Sequence, residues 1–189
     1  MFFVLNNALF DAGIAAWEAK RTYDSVRPIT AIPLLFRGRK IRAWGGPGKG
    51  TVEMDGVQWM PYQPTSLPTP PFPDYVSGHS AYSAAAPRIL EQWTGSTRFE
   101  NSVTFPAGSS TIETGTTPTR TVILCWETLA EAADQAGMSR RYGGIHFRRA
   151  DMDGRLLGRS VATTTWSKAQ MYIHGKRPSL VVARNAQQR

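Results

Sequence analysis

Lys20 with Arg27, Ser77 with Gly78 and His79, and Arg140 with His146 are the groups in this 189-residue chain whose types and spacing could do chemistry. An anion carrying several oxygens needs what they offer. Arginine gives planar paired donors and lysine a point charge. A helix start gives free backbone N–H groups and the positive end of a dipole. Two histidines allow one ring to bond a central atom while the other moves protons. Ser77 reads as the N-cap of a helix. Ahead of it, Thr69-Pro70-Pro71-Phe72-Pro73 is too proline-rich for helix or central strand. Behind it, Ser80 to Ala86 has few breakers. Gly78 lets a ligand approach the backbone, and His79 can exchange a proton near neutral pH. Each group taken singly is ordinary: basic residues favour solvated faces, and Ser-Gly-His also occurs as a plain helix cap.

The elements that must position these residues read as mainly helical. Residues 3–24 form a helix, with Val4, Leu5, Ala8, Leu9, Ala12, Ile14, Ala15 and Trp17 on a loose 3.6-residue period. It stops before Arg27-Pro28, because the residue ahead of proline avoids the helical region. Residues 29–35 are a short helix or an extended segment. Residues 36–62 are a glycine-rich insertion. There, Asp55-Gly56 predicts a tight hairpin between Thr51–Met54 and Val57–Met60. Gly45 to Gly50 reads as an excursion loop, since Gly50 after Lys49 breaks the phosphate-loop pattern. The helix after Ser77 bends or ends near Pro87. Residues 94–120 are a second insertion with a small β ribbon through Val103-Thr104-Phe105. Thr121 to Gly137 reads as a helix, with Leu124, Leu129 and Ala133 inward and Gly137 as its stop. Ser139 to Ile145 is then a loop. Residues 146–172 are a long helix with Phe147, Leu156, Leu157, Val161, Ala162 and Trp166 inward, and Gly154 and Gly158 either weaken it or permit close helix packing. Residues 1–189 together read as one domain.

Composition bounds the function. With 41% hydrophobic residues the chain can bury a core and is not disordered. A formal charge of +8 points to a phosphate, another oxyanion or nucleic acid as partner. The basic residues are spread along the chain without a nucleic-acid motif, so nucleic acid is not expected. No apolar stretch approaches the roughly 20 residues that span a bilayer. Met1 to Leu5 lacks the basic flank of a signal peptide and reads as the middle of a helix, the expected C-terminal part of a longer protein. The compartment stays open. Cys125 is the sole cysteine, so no intrachain disulfide forms, and its apolar run predicts a buried, inert thiol. His174 reads as a surface residue at a helix end, and residues 183–189 as a frayed polar tail.

The order Lys-x6-Arg-Pro, Ser-Gly-His, Ser-Arg-x5-His resembles the type 2 phosphatidic acid phosphatase and vanadium-dependent haloperoxidase superfamily, over residues 20–146. The resemblance implies a helical bundle holding vanadate or phosphate. By position, Lys20, Arg27, Ser77, Gly78 and Arg140 would bind its non-reacting oxygens. His146 would bond vanadium or attack phosphorus, and His79 would be the general acid–base. Lys20 would polarise hydrogen peroxide. Pro71-Phe72-Pro73 resembles the chloroperoxidase type, which implies a halide-side role for Phe72 and, three residues before Lys20, for Trp17. The implied function is vanadate-dependent oxidation of halide by hydrogen peroxide. The same blocks also occur in soluble acid phosphatases acting on phosphomonoesters through a phosphohistidine, here at His146. A non-catalytic polyanion-binding module and an inactive fragment are further readings. Val76 stands where the motif has proline, so the approach to Ser77 is expected to be less rigid. The family's Asp four residues after the last histidine falls on Ala150, with Asp151 next. An Asp one position off cannot reach the same imidazole edge without local adjustment. Without further helices, apolar faces are expected to be uncovered and Arg140 to lack an acidic partner.

Overall fold

The computed structural model describes residues 1–64 and 66–175; the tail at 183–189 lies outside them. The fold is mainly helical. The order is α1 (Phe2–Tyr23), α2 (Pro28–Leu35), β1 (Lys40–Trp44), β2 (Thr51–Asp55), α3 (Gly78–Thr94), β3 (Arg98–Phe105), β4 (Val122–Thr128), α4 (Leu129–Tyr142) and α5 (Arg148–Ile173). Helix α3 lies centrally, against α1, α4 and α5, and α1 also packs on α5.

Small residues make this packing close. The buried stripe of α1 is Val4, Ala8, Ala12 and Ala16, and Lys20 continues it. Ala81 and Ala85 of α3 pack with it in the core, with Ala162 of α5. A Cβ on Gly158 would run into the carbonyl of Ala81, and one on Gly154 would lie 2.8 Å from the carbonyl oxygen of Ser77. Both glycines are required by the approach of α5 to α3, which is the second of the two expected readings. Gly158→Ala is therefore expected to lower stability by ~1–3 kcal/mol despite alanine's better helix propensity. A thermal melt checks this, at roughly 2–4 °C per kcal/mol for a chain of this size. A rise in melting temperature would mean that the two helices can separate without loss.

Among the largest fully buried side chains are Lys20, Asp151, Ser77 and Ser80, with Ile89 the apolar exception. A buried charge is costly unless paired or used. Asp151 is paired. It accepts from Ser80 Oγ at 2.8 Å and from Arg155 Nε and Nη2 at 2.8 and 2.7 Å, tying α3 to α5. Arg155 in turn reaches Asp134 of α4 at 3.2 Å. Val76 is 2% exposed and packs with Ala16 and Ala81, so an apolar seat between α1 and α3 holds the place where the motif has proline.

Several expectations are corrected. The first hairpin pairs Lys40–Trp44 with Thr51–Asp55 and turns through the glycines at 45–50, not at Asp55-Gly56. Gly56 to Gln58 is a short 3-10 turn capped by Asp55. The expected helix over 121–137 is strand to residue 128, paired with β3, and helix only from Leu129. Its true start carries a capping box, Thr128 with Glu131. Gly137 is no stop: it lies buried inside α4, facing Asp151 and Arg155. Ser139 and Arg140 therefore belong to α4, and His146 precedes α5 rather than opening it. Helix α3 runs through Pro87 to Thr94. Cys125 is exposed, because β4 alternates and its cysteine faces outward. Ile14, Trp17, Leu156 and Phe147 are exposed rather than inward. On α1, Val4 and the alanines face α3 and α5, with Leu5 and Leu9 partly buried beside them. His174 is the exposed C-cap of α5, as expected.

Candidate active site

The local sequence explains how each block delivers its side chain. Pro28 at the start of α2 holds Arg27 extended (φ −86°, ψ 160°), and the side chain is buried, 5% exposed. Lys20 ends the buried stripe of α1 at 2% exposure. Ser77 caps α3, its Oγ accepting from Ser80 N, while its own N–H donates to Ala150 O. Arg140 sits in the last turn of α4. His146 follows Gly143 and Gly144, and Gly144 has a φ of +68° that glycine tolerates. Trp59, Pro61 and Gln63 pack against these two glycines, so the end of the first insertion supports the His146 loop.

These side chains meet around a cavity of about 260 Å³ lined by Trp17, Lys20, Arg27, Phe72, Gly78, His79, Arg140 and His146, with Tyr82 and Ile145 among the other walls. Every expected site residue except Ser77 reaches it. Ser77 is fully buried behind the wall and acts through the helix start that it caps. No carboxylate lines the cavity among the described residues, whereas three cations do. Lys20 Nζ donates to the carbonyls of Pro73 (2.6 Å) and Asp74 (3.3 Å). Arg27 Nε donates to Phe72 O (2.7 Å) and Nη1 to Ile145 O (3.0 Å). Arg27 Nη2 and Arg140 Nε are buried without a hydrogen-bond partner. A Cβ on Gly78 would meet only Tyr82, at 3.7 Å, so protein packing leaves the space beside that glycine open.

Trp17 packs on Phe72 with ring centroids 5.1 Å apart. Lys20 Nζ lies 5.0 Å and Arg27 Cζ 4.7 Å from the Phe72 centroid. Both cations lie over the Phe72 ring, and Arg27 also holds its carbonyl. His146 is 6% exposed and its Nδ1 lies 2.7 Å from Asp74 Oδ1. His79 is exposed at the cavity mouth.

Burial and like charge shape the titration. Lys20 is lowered to about 8, first by burial and then by Arg27, with Asp74 opposing. His79 is lowered by desolvation, then by Arg140, His146 and Arg27. His146 is lowered by burial against the opposing pull of Asp74. Burial also lowers Arg27 and Arg140.

The family model of the VCPO second helical-bundle domain matches residues 1–175. The chain belongs to this family. Among solved structures it is similar to a holo-type bacterial vanadium-dependent chloroperoxidase, with TM-score 0.80 and 31% identity over 90% of this chain and 35% of that one. The apo-type structure gives TM-score 0.81 at 31% identity, over 90% and 36% of the two chains. A bacterial vanadium-dependent iodoperoxidase gives TM-score 0.59 at 31% identity, over 87% and 32%. The chain thus spans about a third of the length of the structures it matches. No curated protein sequence matches it. No helix among the described residues is long and apolar enough to cross a membrane.

In this second-bundle domain, two site features were not anticipated from sequence. Asp74, not Asp151, meets the imidazole of His146, and Asp151 is engaged by Ser80 and Arg155. The available signal was electrostatic: an acid two residues before Val76, inside a loop built to meet an anion, needs a partner of its own. Tyr82 lies one helical turn after His79, and that spacing places it on the same wall.

Proposed function

We propose that this chain carries the vanadate site of a haloperoxidase that oxidises halide with hydrogen peroxide. The observation that supports it is the convergence of Lys20, Arg27 and Arg140 on one cavity that no carboxylate lines, with unpartnered N–H groups on both arginines. Buried donors without acceptors cost about 1–3 kcal/mol each, and an oxyanion would satisfy them. The residues fit vanadate: Lys20, Arg27, Arg140 and the Gly78 helix start would hold its oxygens, and His146 Nε2 would be its ligand. Bound vanadate supplies Lewis-acid activation of hydrogen peroxide toward a halide. His79, exposed at the mouth, exchanges protons with solvent. Lys20 adds positive charge where the oxidant is polarised. Phe72 and Trp17 give an aromatic wall beside the cations, which suits a weakly hydrated halide and favours this reading over phosphoester hydrolysis.

Equilibrium dialysis of vanadate tests the site. One vanadate per chain, displaced by phosphate, is the expected result, and no saturable binding would contradict it. The lowered Lys20 gives a pH signature. Sulfate keeps its charge between pH 7 and 10, so its affinity reports the protein. Affinity is expected to fall as pH rises through about 8, where free Lys20 loses its proton. Stability moves the other way. Between about 8 and the ordinary lysine value of 10.5 the unfolded chain binds the Lys20 proton more fully than the folded one, so this residue's contribution rises with pH. Sulfate titrations and melts across that range check both signs.

A further inference from the structure

We propose that Asp74 is the positioning residue of His146, fixing the imidazole with its proton on Nδ1 and its free lone pair on Nε2. The inference deepens the vanadate reading, because it assigns the atom that would bond the metal.

Two neighbours demand the same tautomer. Asp74 Oδ1, 2.7 Å from Nδ1, belongs to a carboxylate, which only accepts when ionised; Nδ1 must therefore donate. On the other edge, Arg27 Nη1 lies 3.5 Å from Nε2. A guanidinium only donates, so an N–H on Nε2 would face another N–H. An imidazole free in water has no such instruction. Here the ring is 6% exposed and both edges are specified.

Asp74 is itself held. Its N–H donates to Ser25 O at 3.0 Å, and Tyr75 N donates to Ser25 Oγ at 2.9 Å. Lys20 takes the carbonyls of Pro73 and Asp74, and Arg27 takes that of Phe72. Three consecutive carbonyls of the proline-rich loop are thus fixed by the two cations that line the cavity. The same loop then aims the carboxylate at His146. Helix α5 supplies no substitute at the position four residues after His146, which is Ala150. Asp151 is engaged by Ser80 and Arg155. The support of the imidazole therefore comes from the loop before α3, and the anion-holding cations and the imidazole are positioned as one unit.

The test is the His146 tautomer by nitrogen NMR at pH 8, with vanadate affinity measured on the same samples. In the unaltered chain the Nδ1–H form is expected to dominate; a dominant Nε2–H form would overturn the proposal. Asp74→Ala should release the ring toward a mixture that includes Nε2–H and weaken vanadate by roughly 10–100-fold, the range for loss of an outer-shell partner. Asp74→Asn, nearly the same size, keeps the proposal testable if alanine impairs folding: its amide can still accept from Nδ1, so it should lie between the two. Tyr75→Phe removes the bond from Tyr75 to Asp153 in the same loop and should leave the tautomer unchanged. An unchanged tautomer in both Asp74 variants would mean that the contact is only structural. If the tautomer shifts as stated but no variant binds vanadate, the positioning stands and the vanadate reading fails.

Discussion

Replacing His146 with alanine is expected to remove halide oxidation entirely and to weaken vanadate by more than the roughly hundredfold that an outer-shell loss produces. Sulfate affinity should change far less. The reason lies in what each anion uses. Sulfate would be held only by charge and N–H donors, those of Lys20, Arg27, Arg140 and the start of α3 that line the cavity. Vanadium in vanadate can also accept a lone pair from an imidazole nitrogen, and His146 is the buried imidazole on the cavity wall. The substitution also strands Asp74, which is 3% exposed and whose carboxylate meets His146. A buried charge deprived of its partner costs about 3–5 kcal/mol, so the variant should melt lower. Retained sulfate binding separates loss of the ligand from loss of the fold. Equal losses for vanadate and sulfate would show that the imidazole forms no bond to vanadium.

The second large effect is a contrast between two arginines. Arg27→Leu should lower both stability and oxyanion affinity. Its Nε and Nη1 satisfy the carbonyls of Phe72 and Ile145, and those acceptors would be left buried. Arg140→Leu should lower affinity alone and leave the ligand-free protein as stable or more stable. Arg140 Nε has no partner, and burial disfavours its charge. Replacing such a group by an apolar one of similar size is often neutral or favourable. Melts with and without sulfate read both terms. Each variant should lose most of the anion-induced rise, which is about 2.7 kcal/mol at a ligand concentration 100 times the dissociation constant. Equal destabilisation of the two ligand-free variants would mean that Arg140 is structural rather than poised for an anion.

The two differ because Arg27 serves the loop and the cavity at once, whereas Arg140 faces the cavity only. That distinction was not legible from the spacing of the blocks. The blocks themselves were legible, since each is a local device: Pro28 extends Arg27, Ser77 caps α3, and glycines precede His146. Gly154 and Gly158 are compatible in sequence with a weakened α5 or with its close approach to α3, and the fold takes the second. Asp74 escaped because its partner lies 72 residues away, across a contact that only the folded chain makes. The span 121–128 escaped for another reason. Its apolar run suits a helix or a strand, and pairing with β3 decides the matter. The capping box at Thr128 and Glu131 is the local mark of the true helix start. On α1 the loose period holds for Val4, Leu5 and Leu9 but not for Ile14 and Trp17, which lie outside because alanines make the close contacts there. Trp17 nevertheless reaches the cavity rim, and it stacks there on Phe72.

The chemistry proposed for this cavity is vanadate-dependent oxidation of halide. Vanadate binding alone does not decide it, because vanadate also imitates the transition state of phosphoryl transfer. The deciding measurement is halogenation of a test phenol by this chain, with vanadate, hydrogen peroxide and bromide each omitted in turn. Product is expected only when all three are present, and none with His146→Ala. Vanadate binding without halogenation, joined to release of phosphate from a phosphomonoester and a phosphate label trapped on His146, would contradict it.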